Sequence, residues 1–306
     1  IEAWAGAMRT APPTQYTFPD APVTLPFVPA VTGTPVVGVK VNGVARWFWI
    51  DTGSSISLIA SDVAAEAGVV PLTPDTLQML TSVGVTSARP AVIQQLEIGA
   101  FAISHQAAAI VHTDDLALDL ESDGIVRIDG VIGMDLIRRL NLEIDYYRNR
   151  VRISRPSPSR DEGEEERNLL WLGYPLVRVE QPDGRPLYFG LDTGANRTYA
   201  TETLRRKLPP KWLKRERQRI AGFGGDTTLN VRTISRLEVG LGGRRFTLTD
   251  VPVHPPRRMG FVQIDGVLGN DAAVGLRVRI DATSGIFEVG VPSDGFARTP
   301  AERAKP

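Results

Sequence analysis

The chain of 306 residues contains no cysteine. That absence removes disulfides, thiolate metal sites, Cys-X-X-Cys redox chemistry and a cysteine nucleophile together, and it leaves the redox compartment unreadable. Histidine is scarce: His105, His112 and His254 stand in no metal-ligand spacing. Neither charge is in excess, with 35 basic and 35 acidic residues, so no global field draws the chain to nucleic acid or an anionic membrane. Long hydrophobic runs are lacking, and without roughly 18 consecutive apolar residues no helical transmembrane segment is expected. A nucleophile-elbow serine, a phosphate-binding loop and a dinucleotide fingerprint are missing too. The first residue is Ile1, with no charged and apolar leader after it; the expectation is a leader removed or trimmed ahead of this chain. What remains is ordinary globular material, 42% apolar and 23% charged, enough for one large domain or two smaller ones.

The chain is written twice. Asp51-Thr52-Gly53 recurs as Asp192-Thr193-Gly194, an offset of 141 residues. The same offset relates the turn dipeptides Asn42-Gly43 and Asp183-Gly184, and relates Leu96-Glu97-Ile98-Gly99 to Leu237-Glu238-Val239-Gly240. Ile128 to Asp135 matches Ile264 to Asp271 after a short deletion, and Asp145 matches Asp281 at that same shorter spacing. Several landmarks in one order indicate a duplication. The segment Ser154 to Asn168 is rich in Pro, Ser and charge and has no apolar periodicity, which suits a linker. Residues 1–33 read as an extended Pro-rich arm, 34–153 as one lobe, 154–168 as the linker and 169–306 as the second lobe.

Within a lobe, Val36 to Val41, the turn Asn42-Gly43 and Val44 to Ile50 predict a hairpin that ends at Asp51. Leu176 to Val179, Pro182-Asp183-Gly184 and Leu187 to Leu191 predict the same up to Asp192. Short helices are expected at Val63 to Ala67 and Glu202 to Lys207. Strands with a turn near Gly84 are expected from Leu77 to Ile98, and a hairpin tip over Ala221 to Gly225. Asp135 and Asp271 each precede a helical stretch and are expected to cap it. The picture is all-β with short helices, in two similar lobes.

One carboxylate at a strand end is unremarkable. Two, at equivalent places in duplicated lobes, can meet on a pseudo-two-fold axis. Like charges about 3 Å apart cannot both ionise at ordinary pH, so the pair holds one proton. The ionised member can deprotonate a water while the neutral member donates to a carbonyl, with no covalent intermediate.

These residues resemble the retropepsin-like branch of the aspartic peptidases, in a fused two-lobe arrangement like that of pepsin. The resemblance is carried by Trp49 to Ser55 and Gly190 to Asn196, and by the apolar-apolar-Gly segments Val131-Ile132-Gly133 and Val267-Leu268-Gly269. Gly133 to Val151 is also similar to the matching stretch of bacterial single-lobe members. The resemblance implies two tandem β-barrel lobes, with Asp51 and Asp192 as catalytic pair and Thr52 and Thr193 as a brace beneath it. It implies that Gly53 and Gly194 admit a substrate backbone, and that hairpins near Gly84 and at Gly222, Phe223 and Gly224 close over it as flaps. The implied substrate is an extended polypeptide. No cofactor, metal or nucleic acid is called for, and with both aspartates in one chain a monomer suffices. Two rival readings stay open: a bilobal peptide-binding module that does not cleave, and lobes that pair with those of another chain.

Departures are visible. The retroviral Arg–Asp pair is absent, because Met134 and Asn270 follow the apolar-apolar-Gly segments and Ser55 and Asn196 lie two residues after the loop glycines. The flap tyrosine of pepsin has no counterpart. Ser54 follows Gly53 whereas Ala195 follows Gly194. A Ser54 hydroxyl donating to Asp51 is expected to make Asp51 the more easily ionised member. The basic segment Arg205 to Arg219 is read as solvated surface, with the acidic run Glu162 to Glu166 expected to neutralise it, and His112 and His254 as ordinary surface or strand-end residues. The resemblance and the non-Met start point to a bacterial cell envelope or periplasm.

Overall fold

Along Val36 to Val41 the side chains of Val37, Val39 and Val41 are buried while Gly38 and Lys40 face out, the alternation of a strand half-turned to a core. In a computed structural model this run is the strand Pro35–Val41, which turns at Asn42 (φ 48°) and Gly43 (φ 85°) and returns as Val44–Ile50. Positive φ at both central residues gives the turn the twist its strands require. The second copy builds its hairpin from Pro175–Glu180 and Pro186–Leu191, with Gly184 at φ 82°. The structure describes residues 2–81, 83–119, 125–156, 167–208, 213–223, 225–241, 244–255, 258–259 and 262–291.

Among the described residues each lobe is one curled sheet, nine-stranded in the first and eight-stranded in the second. The strand Gly130–Ile132 lies parallel to Val44–Ile50 and antiparallel to Leu58–Ala60. Its twin Gly266–Leu268 lies parallel to Pro186–Leu191 and antiparallel to Tyr199–Thr201. These central strands are wholly buried and read as continuous apolar runs. The short helices Ser61–Glu66 and Glu202–Arg205 follow Leu58–Ala60 and Tyr199–Thr201. At the outer edge of each sheet stands a hairpin, Leu77–Leu80 with Val85–Ile98 in the first lobe and Leu213–Gly222 with Gly225–Leu241 in the second.

The likeness of the two lobes extends to an irregularity. His105 (φ 57°) and Asp250 (φ 49°) sit at matching places in the strands Phe101–Val111 and Arg244–His254, each skipped by the ladder to the neighbouring strand. Non-glycine residues seldom adopt positive φ, so this shared exception is a likeness between the lobes that the sequence repeat alone does not display.

A third sheet joins the lobes. It runs Val23–Pro26, Arg150–Ser154, Asn141–Asp145, Arg277–Asp281, Ile286–Gly290. The seam pairs Asn141 with Asp281 and Asp145 with Arg277. Glu143 sits between Arg152 (3.1 Å) and Arg277 (3.5 Å) there. Asp145 and Asp281, fully buried, each accept backbone N–H groups of the turn that follows their strand, from Tyr147 and Arg148 and from Ser284. The N-terminal segment is more ordered than an extended arm. It opens with the helix Glu2–Met8 and supplies Gln15–Thr17 to the first lobe's sheet, Val23–Pro26 to the joining sheet and Val28–Pro29 beside Pro35–Val41. Most of the expected linker, 157–166, lies outside the described residues.

Candidate active site

Asp51 follows the last residue of Val44–Ile50, and Asp192 the last of Pro186–Leu191. The Asp51 N–H donates to the Ile132 carbonyl (3.1 Å), and the Asp192 N–H to that of Leu268 (3.0 Å). On the far side of each loop, the Met134 N–H donates to Ser54 and the Asn270 N–H to Ala195, both at 2.8 Å. Each Asp-Thr-Gly loop is thus clamped at both ends by the apolar-apolar-Gly strand of its own lobe. Gly133 and Gly269 are needed there for close approach: a Cβ on either would lie 2.5 Å from the backbone of Ile56 or Arg197.

The two loops are locked to each other. Thr52 Oγ1 donates to the Leu191 carbonyl (2.9 Å) and accepts from the Thr193 N–H (3.0 Å). Thr193 Oγ1 donates to the Ile50 carbonyl (2.7 Å) and accepts from the Thr52 N–H (3.0 Å). All four bonds are buried, so each hydroxyl satisfies two groups that burial would otherwise orphan.

Above this brace the carboxylates meet. Asp51 Oδ1 accepts the Gly53 N–H (2.7 Å); Asp192 Oδ1 accepts those of Gly194 and Ala195 (3.0 Å each). Each carboxyl also lies against the other lobe's glycine. A Cβ on Gly53 would fall 2.5 Å from Asp192 Cγ, and one on Gly194 would fall 2.7 Å from Asp51 Cγ. Burial pushes the Asp51 carboxyl well above the usual carboxylate range; the charge of Asp192 and a side-chain hydrogen bond with it push the same way. The N–H groups of Gly53 and Ser54 pull in the opposite direction and do not prevail.

Several expected roles are corrected. Ser54 Oγ donates to the Ile56 carbonyl (2.7 Å), not to Asp51; a backbone acceptor two residues on captures the hydroxyl, so the argument for easier ionisation of Asp51 lapses. Asp135 and Asp271 do not cap helices. The cap positions are Gly133 and Gly269, which have no side chain to offer. Asp135 instead accepts from Ser57 Oγ (2.8 Å) and Gln106 Nε2 (2.9 Å), and Asp271 accepts from the Thr198 N–H (2.7 Å) and Oγ1 (2.6 Å). Ser57 Oγ and Thr198 Oγ1 accept the N–H groups of Gly133 (3.2 Å) and Gly269 (3.0 Å). Both aspartates therefore hold the hydroxyl that holds the apolar-apolar-Gly strand. Burial pushes the Asp135 carboxyl up to about 6, against the Ser57 hydroxyl and nearby N–H groups.

Sequence reasoning missed Asn270 as a support. Its amide donates to the Thr193 carbonyl (2.8 Å) and the Thr32 carbonyl (3.3 Å), while its oxygen accepts from Tyr146 Oη (2.8 Å). Thr34 Oγ1 reaches the Gly194 carbonyl (3.4 Å). The N-terminal segment thereby supports the second loop. The only trace in the sequence is that Asn270 replaces the apolar Met134 of the first copy.

Comparison with known proteins decides the family. The sequence profile described as aspartyl protease matches twice, over residues 37–136 and 177–272. The chain belongs to the aspartyl protease family. Among curated proteins none matches this chain. Among solved structures it is similar to the aspartic proteinase from Irpex lacteus, at 14% identity and a TM-score of 0.55, covering 90% of this chain and 99% of that one. At that identity the likeness establishes the fold alone. A retropepsin-like aspartic protease from Rickettsia conorii matches 46% of this chain and 92% of its own at 20% identity, with a TM-score of 0.32.

In this chain the structure brings Asp51, Thr52, Gly53, Ser54, Asp192, Thr193, Gly194 and Ala195 into one cluster. The remaining expected site residues stand at the sheet edges: Gly84 closes the turn of the first edge hairpin, Gly222 pairs with Gly225 at the tip of the second, and Phe223 packs partly buried against the core. Gly224 lies outside the described residues. A cavity of about 800 Å³ lies away from the cluster, between Arg178, Glu180, Arg245, Phe246 and Phe287 of the second lobe. Among the described residues no group of His, Asp and Glu is arranged to hold a metal ion, and no helix is long and apolar enough to cross a membrane.

Proposed function

We propose that this member of the aspartyl protease family is an endopeptidase in which Asp51 and Asp192 share one proton across the lobe boundary. One observation carries the reading: each carboxyl packs against the other lobe's loop glycine, on a reciprocal threonine brace. A water between the carboxyls loses its proton to the ionised one as its oxygen attacks the scissile carbonyl carbon. The neutral carboxyl gives its proton to the carbonyl oxygen. Collapse of the tetrahedral species breaks the C–N bond as a proton passes to nitrogen, releasing an amine and a carboxylic acid. An extended polypeptide is the substrate, held in part by strand-like backbone hydrogen bonds and covered by the two edge hairpins.

The test is mass spectrometry of a peptide library digested from about pH 3 to 8, with Asp51→Asn and Asp192→Asn alongside. Each variant should lose at least about a thousandfold in rate, the upper range for acid–base catalysis. Because Asp51 is pushed upward, loss of the shared proton, and with it activity, should fall at a higher pH than an ordinary carboxylate gives. Cleavage that survives in either variant would show that the aspartates do not form one site. Binding of peptides without cleavage at any pH would favour a non-catalytic binding module.

A further inference from the structure

The second lobe's edge hairpin carries charge that its fold does not require. The register sets Arg215 opposite Arg232, Arg217 opposite Asn230 and Arg219 opposite Thr228. Directly opposed residues share a face, so four arginines stand together, with Asn230 and Thr228 between them. Arg215, Arg217 and Arg232 are exposed. Arg219 is bound to Asp226 at 2.9 Å; among the described residues no acidic side chain pairs with the other three.

Two structural explanations fall short. Like charges directly opposed destabilise a ladder, so the Arg215–Arg232 pair works against folding. Charge on an edge strand does guard against sheet extension. The matching edge strand of the first lobe, Leu77–Leu80, has no charge and leaves Leu80 86% and Val85 57% exposed. This protein therefore tolerates an unguarded edge at the same place, and guarding alone does not call for one sign of charge.

We infer that the outer face of this hairpin binds an acidic segment of the polypeptide substrate, an inference that rests on the peptidase reading above. Guanidinium groups present forked donors that match carboxylates. Arg215 and Arg217 are two residues apart on one strand, about 7 Å along it. An extended peptide with an acid at every second residue repeats at that same spacing, and the outer edge of Leu213–Gly222, which no strand among the described residues pairs, offers backbone partners to such a strand. Polypeptide is favoured over nucleic acid because Arg215, Arg217, Arg219, Thr228, Asn230 and Arg232 include no aromatic ring on which bases stack.

The test uses the full chain carrying Asp51→Asn, so that bound peptide is not cut. A short fluorescent peptide of alternating Glu and Ala is titrated against the Gln-Ala equivalent and against a Glu-Glu-Ala-Ala peptide of equal charge. The alternating acidic peptide should bind about tenfold more tightly than the neutral one at low salt, an advantage that shrinks near about 0.5 M salt. It should also bind more tightly than the blocked sequence of equal charge. Arg215→Ser, Arg217→Ser and Arg232→Ser together should abolish the advantage and leave neutral-peptide binding unchanged. Arg232→Glu guards against a folding artefact: it faces Arg215 with an opposite charge, so its Tm should hold or rise while acidic binding falls. Equal binding of all three peptides, an advantage that persists in Arg232→Glu, or displacement by a single-stranded oligonucleotide that binds more tightly would overturn the inference. Digestion of a peptide library by the wild type separates the two proposals. Cleavage with no preference for acidic flanks sinks this inference alone, whereas acidic binding with no cleavage sinks the peptidase reading.

Discussion

Thr52 and Thr193 show how much one hydroxyl can hold. Thr52→Val conserves shape but leaves the Thr193 N–H and the Leu191 carbonyl unpaired in a buried place. A stability loss of about 2–4 kcal/mol is expected from two such groups, read as an earlier urea midpoint with an unchanged slope. Activity should fall further than stability at temperatures where the variant is folded, because the brace fixes the spacing of the two carboxyls. Thr52→Ser, which keeps the oxygen, should recover most of both. A Thr52→Val chain that unfolds with the wild type would mean that the brace carries no load. Gly53 and Gly194 belong to the same argument, since any side chain there would occupy the volume of the opposite carboxyl.

At the scale of the element, the apolar-apolar-Gly strands are set by a chain of contacts that ends at Asp135 in one lobe and Asp271 in the other. Asp135 gives this support a pH dependence with a definite sign. Its folded carboxyl titrates at about 6, above the ordinary value near 4, so the folded state binds its proton more tightly than the unfolded chain does. The stabilisation is complete below about pH 4 and is lost as pH rises through about 6. Asp135→Asn keeps an acceptor for Ser57 and removes the titration. The difference between wild-type and variant stability, measured by denaturation across that window, should change in that direction; a constant difference would contradict it. This is also where the reach of sequence reasoning becomes clear. The hairpins, the central apolar strands and the Asp-Thr-Gly loops were legible because each is written in consecutive residues whose φ angles, size and alternation act locally. The strands of the N-terminal segment were not, since Val23–Pro26 pairs with Arg150–Ser154 far along the chain. The Ser54 hydroxyl was misassigned because several acceptors lie within its reach and composition does not choose among them. Asp135 was misassigned because a helix of four residues resembles a capping context whatever its aspartate binds.

At the scale of the whole molecule, both aspartates lie on one polypeptide, and the seam between Asn141–Asp145 and Arg277–Asp281 joins the lobes that carry them. Specific activity should therefore stay constant on dilution, with a solution mass near 33.3 kDa, as read by light scattering and by rates over a wide concentration range. Activity that collapses on dilution would mean that lobes of different chains complete the site. The two halves also differ. Ala195 stands where the first half has Ser54, Asn270 where it has Met134, and an edge strand bearing arginines where it has one without charge. Two identical halves accept a peptide equally well in either direction, because a rotation maps one pose onto the other. Here that rotation exchanges unlike surroundings. On the peptidase reading, the site between the two carboxyls thus has a head and a tail, and should tell a sequence from its reverse.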